Sequence, residues 1–147
     1  MPVRTAKVEW QGNLIEGRGT MELGSGTFKG NYNFGSRFQE GPGTNPEELI
    51  GAAYAGCYSM ALAQSLHEGG YEPRTLHTTA RVTLEQLKEG YRITSVHLET
   101  RGEVPDVDEQ VFKQHAEEAK NNCPVSQALK IPKTTVEARL EKQPIPA

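Results

Sequence analysis

Between Leu49 and Leu66, apolar or small residues occupy nearly every side of a helical wheel. A helix without a polar face belongs in an interior. Its start is marked by Asn45-Pro46-Glu47-Glu48. Asn caps, Pro suits the first helical position, and two carboxylates meet the positive end of the macrodipole. Gly69-Gly70 marks its end, which predicts a helix from Asn45 to about His67. The longest apolar stretch, Leu49 to Ala63, is shorter than a membrane span and contains Gly51 and Gly56. In a chain of 147 residues, a helix buried on every side needs sheet on one flank and a second subunit on the other.

The flanking segments are β-rich. Val3 to Trp10 alternates loosely and ends at the turn Gly12-Asn13, while Arg18 to Leu23 and Thr27 to Phe34 flank Gly24-Ser25-Gly26. These predict a three-stranded antiparallel sheet, followed by a loop from Gly35 to Thr44 that carries Arg37. After the helix, Leu76 to Leu87 and Tyr91 to Val104 form a hairpin around Lys88-Glu89-Gly90. A second helix runs from Val107 to Lys120, capped by Asp106 or Asp108. A short helical turn follows from Cys123 to Leu129, then a last strand from Thr134 to Leu140 and a frayed, Pro-containing tail from Gln143 to Ala147. The order βββ-α-ββ-α-β defines an α+β protein with antiparallel sheets, expected as a single domain over residues 1–147.

Composition narrows the partners. Hydrophobic residues make up only 35% of the chain, which leaves room for a second subunit to complete the core. Net charge is −3, and Lys and Arg are scattered among acidic residues, so a nucleic-acid partner is not expected. The N-terminal MPVRTAKVEWQGN lacks the apolar core of a secretory signal, and a cytoplasmic protein is expected. In that compartment a permanent structural disulfide is disfavoured. Cys57 and Cys123 are then either inert core thiols or a redox pair.

Cys57 lies mid-helix, where an unpaired thiol commonly packs as a small hydrophobe. Reactivity there needs a cationic partner, since the helix dipole fades within the first turn. Arg37 is the candidate, with Arg18 as the second choice. Cys123 opens a helical turn before Pro124, a plausible position for a mobile resolving thiol as well as for an ordinary cap. Glu47 fits an unremarkable first-turn carboxylate, or a bidentate partner that orients Arg37. Tyr54 and Tyr58 lie four apart on the same helix, either as core or as walls of an apolar pocket. His67, His77, His97 and His115 share no metal-ligand spacing, although His77 and His97 fall on strands that pair. No metal site and no cofactor is expected.

Two longer motifs carry a family resemblance. The segment Gly43-Thr-Asn-Pro-Glu-Glu-Leu-Ile-Gly-Ala-Ala-Tyr-Ala-Gly-Cys-Tyr-Ser-Met-Ala-Leu62 and the later Asn122-Cys-Pro-Val-Ser-Gln-Ala-Leu129 resemble the signatures of the OsmC/Ohr family. These are the osmotically inducible protein C and organic hydroperoxide resistance proteins. Ser36-Arg37-Phe38 ahead of the first motif is more similar to the OsmC branch. The resemblance implies an OsmC-like fold: an intertwined homodimer with long central helices and sheets outside. It implies a hydroperoxide reductase of oxidative and osmotic stress defence, acting on organic hydroperoxides and less well on hydrogen peroxide. Cys57 then matches the peroxidatic residue, Cys123 the resolving one with which it forms a disulfide, and Glu47 the carboxylate that orients Arg37. Phe38, Tyr54, Tyr58 and Met60 are expected at the substrate pocket. An external dithiol, dihydrolipoamide-like or thioredoxin-type, is the expected reductant. The alternative is a non-enzymatic dimer that senses redox state or holds an apolar ligand.

Helix geometry adds one constraint. Glu47 and Cys57 are ten residues apart, hence about 15 Å along a straight helix and about 80° apart around it. Either the helix breaks near Gly51, or Glu47 of one chain serves the partner's Cys57. The second arrangement is the one expected.

Overall fold

The computed structural model describes residues 1–146 and divides the chain into two compact units, Met1–Leu49 and a second beginning at Ile50. The first is built on the antiparallel sheet β1 (Ala6–Gln11), β2 (Arg18–Leu23) and β3 (Lys29–Tyr32), in that order. Gly12, at φ +90, begins the β1–β2 turn, and Asn13 closes it by accepting the Glu16 N–H at 2.8 Å and the Gly17 N–H at 2.9 Å. In the register, Gly19 stands opposite both Trp10 and Tyr32, whose rings lie 5.3 Å apart. A Cβ at Gly19 would meet both rings within 2.6 Å, so only glycine admits this aromatic pair.

The expected loop after β3 contains a five-residue helix, α1 (Phe34–Phe38). Asn33 caps it, accepting the Ser36 N–H at 2.8 Å while the Ser36 hydroxyl lies 2.9 Å from the Asn33 N–H. Serine in the third position, where the familiar box has Glu or Gln, disguises the signal. The long helix α2 (Pro46–Glu68) starts as its sequence predicts, with Asn45 Oδ1 accepting the Glu48 N–H at 2.7 Å.

The second unit contains most of α2, the hairpin β4 (Thr75–Leu87) and β5 (Gly90–Glu103), then α3 (Glu109–Asn122), α4 (Pro124–Leu129) and β6 (Lys133–Leu140). Asp108, not Asp106, caps α3, accepting the Val111 N–H at 2.9 Å. The α+β order matches expectation, with one correction. Antiparallel pairing holds in the first sheet and between β4 and β5, but β6 lies parallel to β5. The crossover through α3 and α4 returns the chain to the end where β5 began, so the second sheet is mixed. His77 and His97 are not opposite each other, since His77 pairs with Arg101 and His97 with Arg81.

Tyr54, Tyr58, Leu62 and Leu66 recur at four-residue intervals on α2 and are all buried. They pack with Val96 and Leu98 of β5 and with Phe112, Ala116 and Ala119 of α3. Each such large side chain contributes roughly 1.5–3 kcal/mol by leaving water. Thr100 is the polar member of this interior. It is satisfied by Thr78 at 3.0 Å, which in turn accepts from Ser59 of α2 at 2.8 Å. The helix is not covered on every side within one chain: Ala52, Ala53, Gly56 and Met60 are exposed, Met60 fully enough to reach 76%. One chain supplies only one layer against α2.

Among the described residues, no helix is long and apolar enough to cross a membrane. The tail over 143–146 has neither helix nor strand, and Ala147 lies outside the described residues.

Gly102 of β5 sits against the fully buried Phe112, whose ring would lie 2.5–2.6 Å from an added Cβ. Gly102→Ala is expected to destabilise the fold by about 1–3 kcal/mol through overpacking. Urea unfolding should show a lower midpoint with an unchanged slope.

Candidate active site

In the first unit, α1 and the start of α2 are tied together by backbone-seeking side chains. The Ser36 hydroxyl donates to the Thr44 carbonyl at 2.7 Å, and the Asn45 amide donates to the Ser36 carbonyl at 3.0 Å. These bonds place Arg37, in the last turn of α1, against Glu47, in the first turn of α2. Arg37 Nη2 donates to Glu47 Oε1 at 2.8 Å, and its Nε lies 3.2 and 3.3 Å from the two carboxylate oxygens. The guanidinium thus engages the carboxylate through its Nε–Nη2 edge. Glu47 is nearly buried, its side chain 9% exposed, while that of Arg37 is 35% exposed. A carboxylate so far removed from water needs a paired cation, and the geometry is the bidentate one that lysine cannot reproduce.

Phe38 completes this group. Its ring centroid lies 5.2 Å from the Arg37 guanidinium carbon and 4.9 Å from the Phe34 ring. Arg18, the second-choice cation, is on β2 and lines an open groove of about 710 Å³ on the N-terminal sheet, together with Lys7, Glu9 and Tyr32.

In the second unit both cysteines are free thiols, Cys57 half-buried on α2 and Cys123 fully buried at the α3–α4 junction. The two thiols are neighbours. Burial pushes the Cys123 thiol up, and the adjacent Cys57 thiol pushes it further. The N–H groups of Ser126 and Val125 oppose that shift, Ser126 donating to Cys123 Sγ at 3.4 Å. Cys123 therefore caps α4 through its sulfur, with Pro124 at the first helical position.

A phenol positions the pair. Tyr58, next to Cys57 in the chain, donates its hydroxyl to the Ala116 carbonyl of α3 at 2.6 Å. That buried bond pins α2 to the helix whose end carries Cys123. Burial also drives the Tyr58 hydroxyl far above the ordinary phenol range, so it stays a donor. Tyr54 and Tyr58 are 1% and 0% exposed, so within one chain both are core residues, while Met60 projects outward. Sequence reasoning had no access to the Tyr58–Ala116 bond, which joins distant segments, nor to α1. Among the described residues, the one group of three metal-type ligands is His97, Glu99 and Glu137, on the sheet face opposite α2.

The α+β fold, with a long central helix and two neighbouring free thiols, is that of a known protein class, which comparison with known proteins makes specific. The family model for OsmC-like protein matches residues 39–138, and the chain belongs to the OsmC family. It is 42% identical to Peroxiredoxin OsmC of Escherichia coli strain K12 over 128 residues, covering 86% of this chain and 90% of that protein. The structure resembles that of the organic hydroperoxide resistance protein OhrB of Bacillus subtilis, with a TM-score of 0.70 at 26% identity over 93% of this chain and 98% of that one. An OsmC-like protein of Vibrio cholerae shares the fold, with a TM-score of 0.73 at 18% identity over 94% of this chain and 99% of the other.

Tyr58→Phe is expected to cost about 0.5–1.5 kcal/mol in denaturant unfolding, the worth of one hydrogen bond lost without a change of shape. Because the Cys123 thiol is raised, it is protonated near neutral pH. Its alkylation rate in the folded chain should keep climbing at pH values where an unfolded control has already levelled off.

Proposed function

We propose that residues 1–147 act as one OsmC-like domain, paired with a second copy, to reduce organic hydroperoxides through Cys57 and Cys123. That the chain is an enzyme of the peroxidase type rests on its family and on its 42% identity with a peroxiredoxin. The observation that carries the two-cysteine reading is the pair of neighbouring free thiols, one half-buried and one buried.

In the proposed cycle the Cys57 thiolate attacks the distal oxygen of the hydroperoxide. The O–O bond breaks, the leaving alkoxide takes a proton and departs as an alcohol, and Cys57 becomes a sulfenic acid. The Cys123 sulfur, as thiolate, then attacks the Cys57 sulfur and expels water after proton transfer, leaving the Cys57–Cys123 disulfide. An external dithiol, dihydrolipoamide-like or thioredoxin-type, returns two electrons by exchange through a mixed disulfide. No cofactor takes part in these steps.

Arg37 is the proposed activating cation, held by Glu47, with Arg18 as the second choice. The Nε–Nη2 edge of Arg37 is committed to Glu47, which leaves its Nη1 side to face a thiolate and a peroxide oxygen. Since α2 runs unbroken from Pro46 to Glu68, its first turn cannot fold back on Cys57. The proposal is that Arg37 and Glu47 serve the partner's Cys57 across a homodimer. The exposed small-residue side of α2, Ala52, Ala53 and Gly56 with Met60, supports a second subunit lying there. Phe38 and Met60 are the proposed apolar walls of the substrate pocket. Alkyl tails gain there at roughly 25 cal/mol per Å² buried, which favours organic hydroperoxides over hydrogen peroxide. A role in the cytoplasm, in oxidative and osmotic stress, completes the proposal.

Turnover of an alkyl hydroperoxide with excess dithiol tests the reading. Cys57→Ser is expected to fall to the uncatalysed background, and Cys123→Ser to retain the first peroxide-consuming step but overoxidise within a few cycles. Single stoichiometric oxidation by the unaltered chain, without turnover, would instead identify a redox sensor. Mixing Cys57→Ser chains with Glu47→Ala chains should restore activity at one hybrid site per dimer if the arginine pair acts across subunits. An absence of recovery would place both groups in one chain.

A further inference from the structure

The outward face of the second sheet holds a group of side chains that peroxide chemistry does not use. His97 and Glu99 alternate along β5 with the core residues Val96, Leu98 and Thr100, so both project to the face opposite α2. The parallel register sets Thr135 beside His97 and Glu137 beside Glu99. His97 Nδ1 lies 2.5 Å from Thr135 Oγ1. Its other nitrogen, Nε2, lies 3.7 Å from Glu99 Oε1 and 3.7 Å from Glu137 Oε2. These three ligand atoms fall within 4.8 Å of one another.

Convergence of two carboxylates on one imidazole nitrogen calls for a positive charge among them. A proton on Nε2 is one source, but charge-assisted N–H···O bonds close to about 2.7–2.9 Å, and both distances here are longer. Arg81 of β4 is a second source. Its Nε donates at 3.1 Å to Glu99 Oε1, the oxygen that faces His97, but among the described residues Glu137 has only His97 as an ion-pair partner. A metal ion is the third. Four ligands at about 2.0–2.2 Å from zinc stand roughly 3.3–3.6 Å apart. The two 3.7 Å spacings from His97 are within a few tenths of an ångström of that, and the carboxylate oxygens stand no more than 4.8 Å apart, differences that rotation of the exposed Glu137 side chain can close. Thr135 supplies the supporting contact. With Nδ1–H donated to its hydroxyl, the Nε2 lone pair points at the carboxylates, the orientation that ligating histidines take from such a partner.

We propose that His97, Glu99 and Glu137 form a site for a borderline divalent cation of the zinc type, with water in the fourth position. One imidazole with two carboxylates suits zinc, cobalt or nickel better than magnesium or calcium. The ion would clamp β6, the parallel edge strand, to β5, and Arg81 would compete with it for Glu99. The proposal is independent of the peroxidase reading.

Isothermal titration with zinc chloride tests it. Neighbouring thiols can also take up zinc, so the decisive chain is Cys57→Ser/Cys123→Ser, with the reduced unaltered chain alongside. The expected result is one zinc bound per double-serine chain, with a higher melting temperature. Affinity should fall at least tenfold in both His97→Gln and Glu137→Gln, made in that background, and rise severalfold in Arg81→Gln. Cobalt bound to the double-serine chain should give ligand-field bands without sulfur-to-metal charge transfer. No zinc binding by the double-serine chain would overturn the proposal. So would binding that His97→Gln and Glu137→Gln leave unchanged, since the metal would then rest on other residues.

Discussion

The contact on which the second unit of this protein depends is the buried stripe of Tyr54, Tyr58, Leu62 and Leu66, laid along α2 against β5 and α3. Apolar burial supplies most of its strength but little directionality. Direction comes from the Tyr58 hydroxyl, which in a dry interior must find an acceptor and finds the Ala116 carbonyl at 2.6 Å. A one-residue slide of α2 along α3 would strand that phenol. The bond therefore selects one register of the two helices, and in that register Cys57 faces Cys123.

Two opposing effects act on Cys123. Burial disfavours its thiolate, while the N–H groups at the start of α4 favour it. Burial prevails, so Cys123 is a neutral thiol beside Cys57. A neutral buried thiol is a poor nucleophile, and Cys57 is the more exposed of the two. In the first unit the balance is electrostatic. Glu47 is almost removed from water and is neutralised by Arg37, whose place is set by α1 through Ser36 and Asn45. The short helix is thus a positioning device for one guanidinium.

The second sheet divides its labour between faces. Its inner face, from Val96 to Thr100, forms the core, and the hydroxyl chain Ser59–Thr78–Thr100 satisfies the one polar residue there. Its outer face carries ionisable residues, of which His97, Glu99 and Glu137 converge. The alternation of a strand separates two chemistries that share the same short stretch of chain.

Local signals alone determined much of this. Asn45-Pro46-Glu47-Glu48 and Gly69-Gly70 bounded α2 to within a residue or two, β2 runs over the predicted Arg18–Leu23, and the two cysteine motifs marked the family. Such features are encoded by neighbours in the chain: caps, turn residues and periodicity act over a few positions. The capping box of α1 was equally local but was hidden by serine at its third position. What remained depended on which faces meet. The parallel entry of β6, the confinement of Tyr54 and Tyr58 to the core, the apposition of the thiols and the grouping of His97 with Glu137 all join residues distant in the chain. No spacing in a sequence encodes such distances, because they follow from the packing of whole elements, and only the tertiary structure decided them.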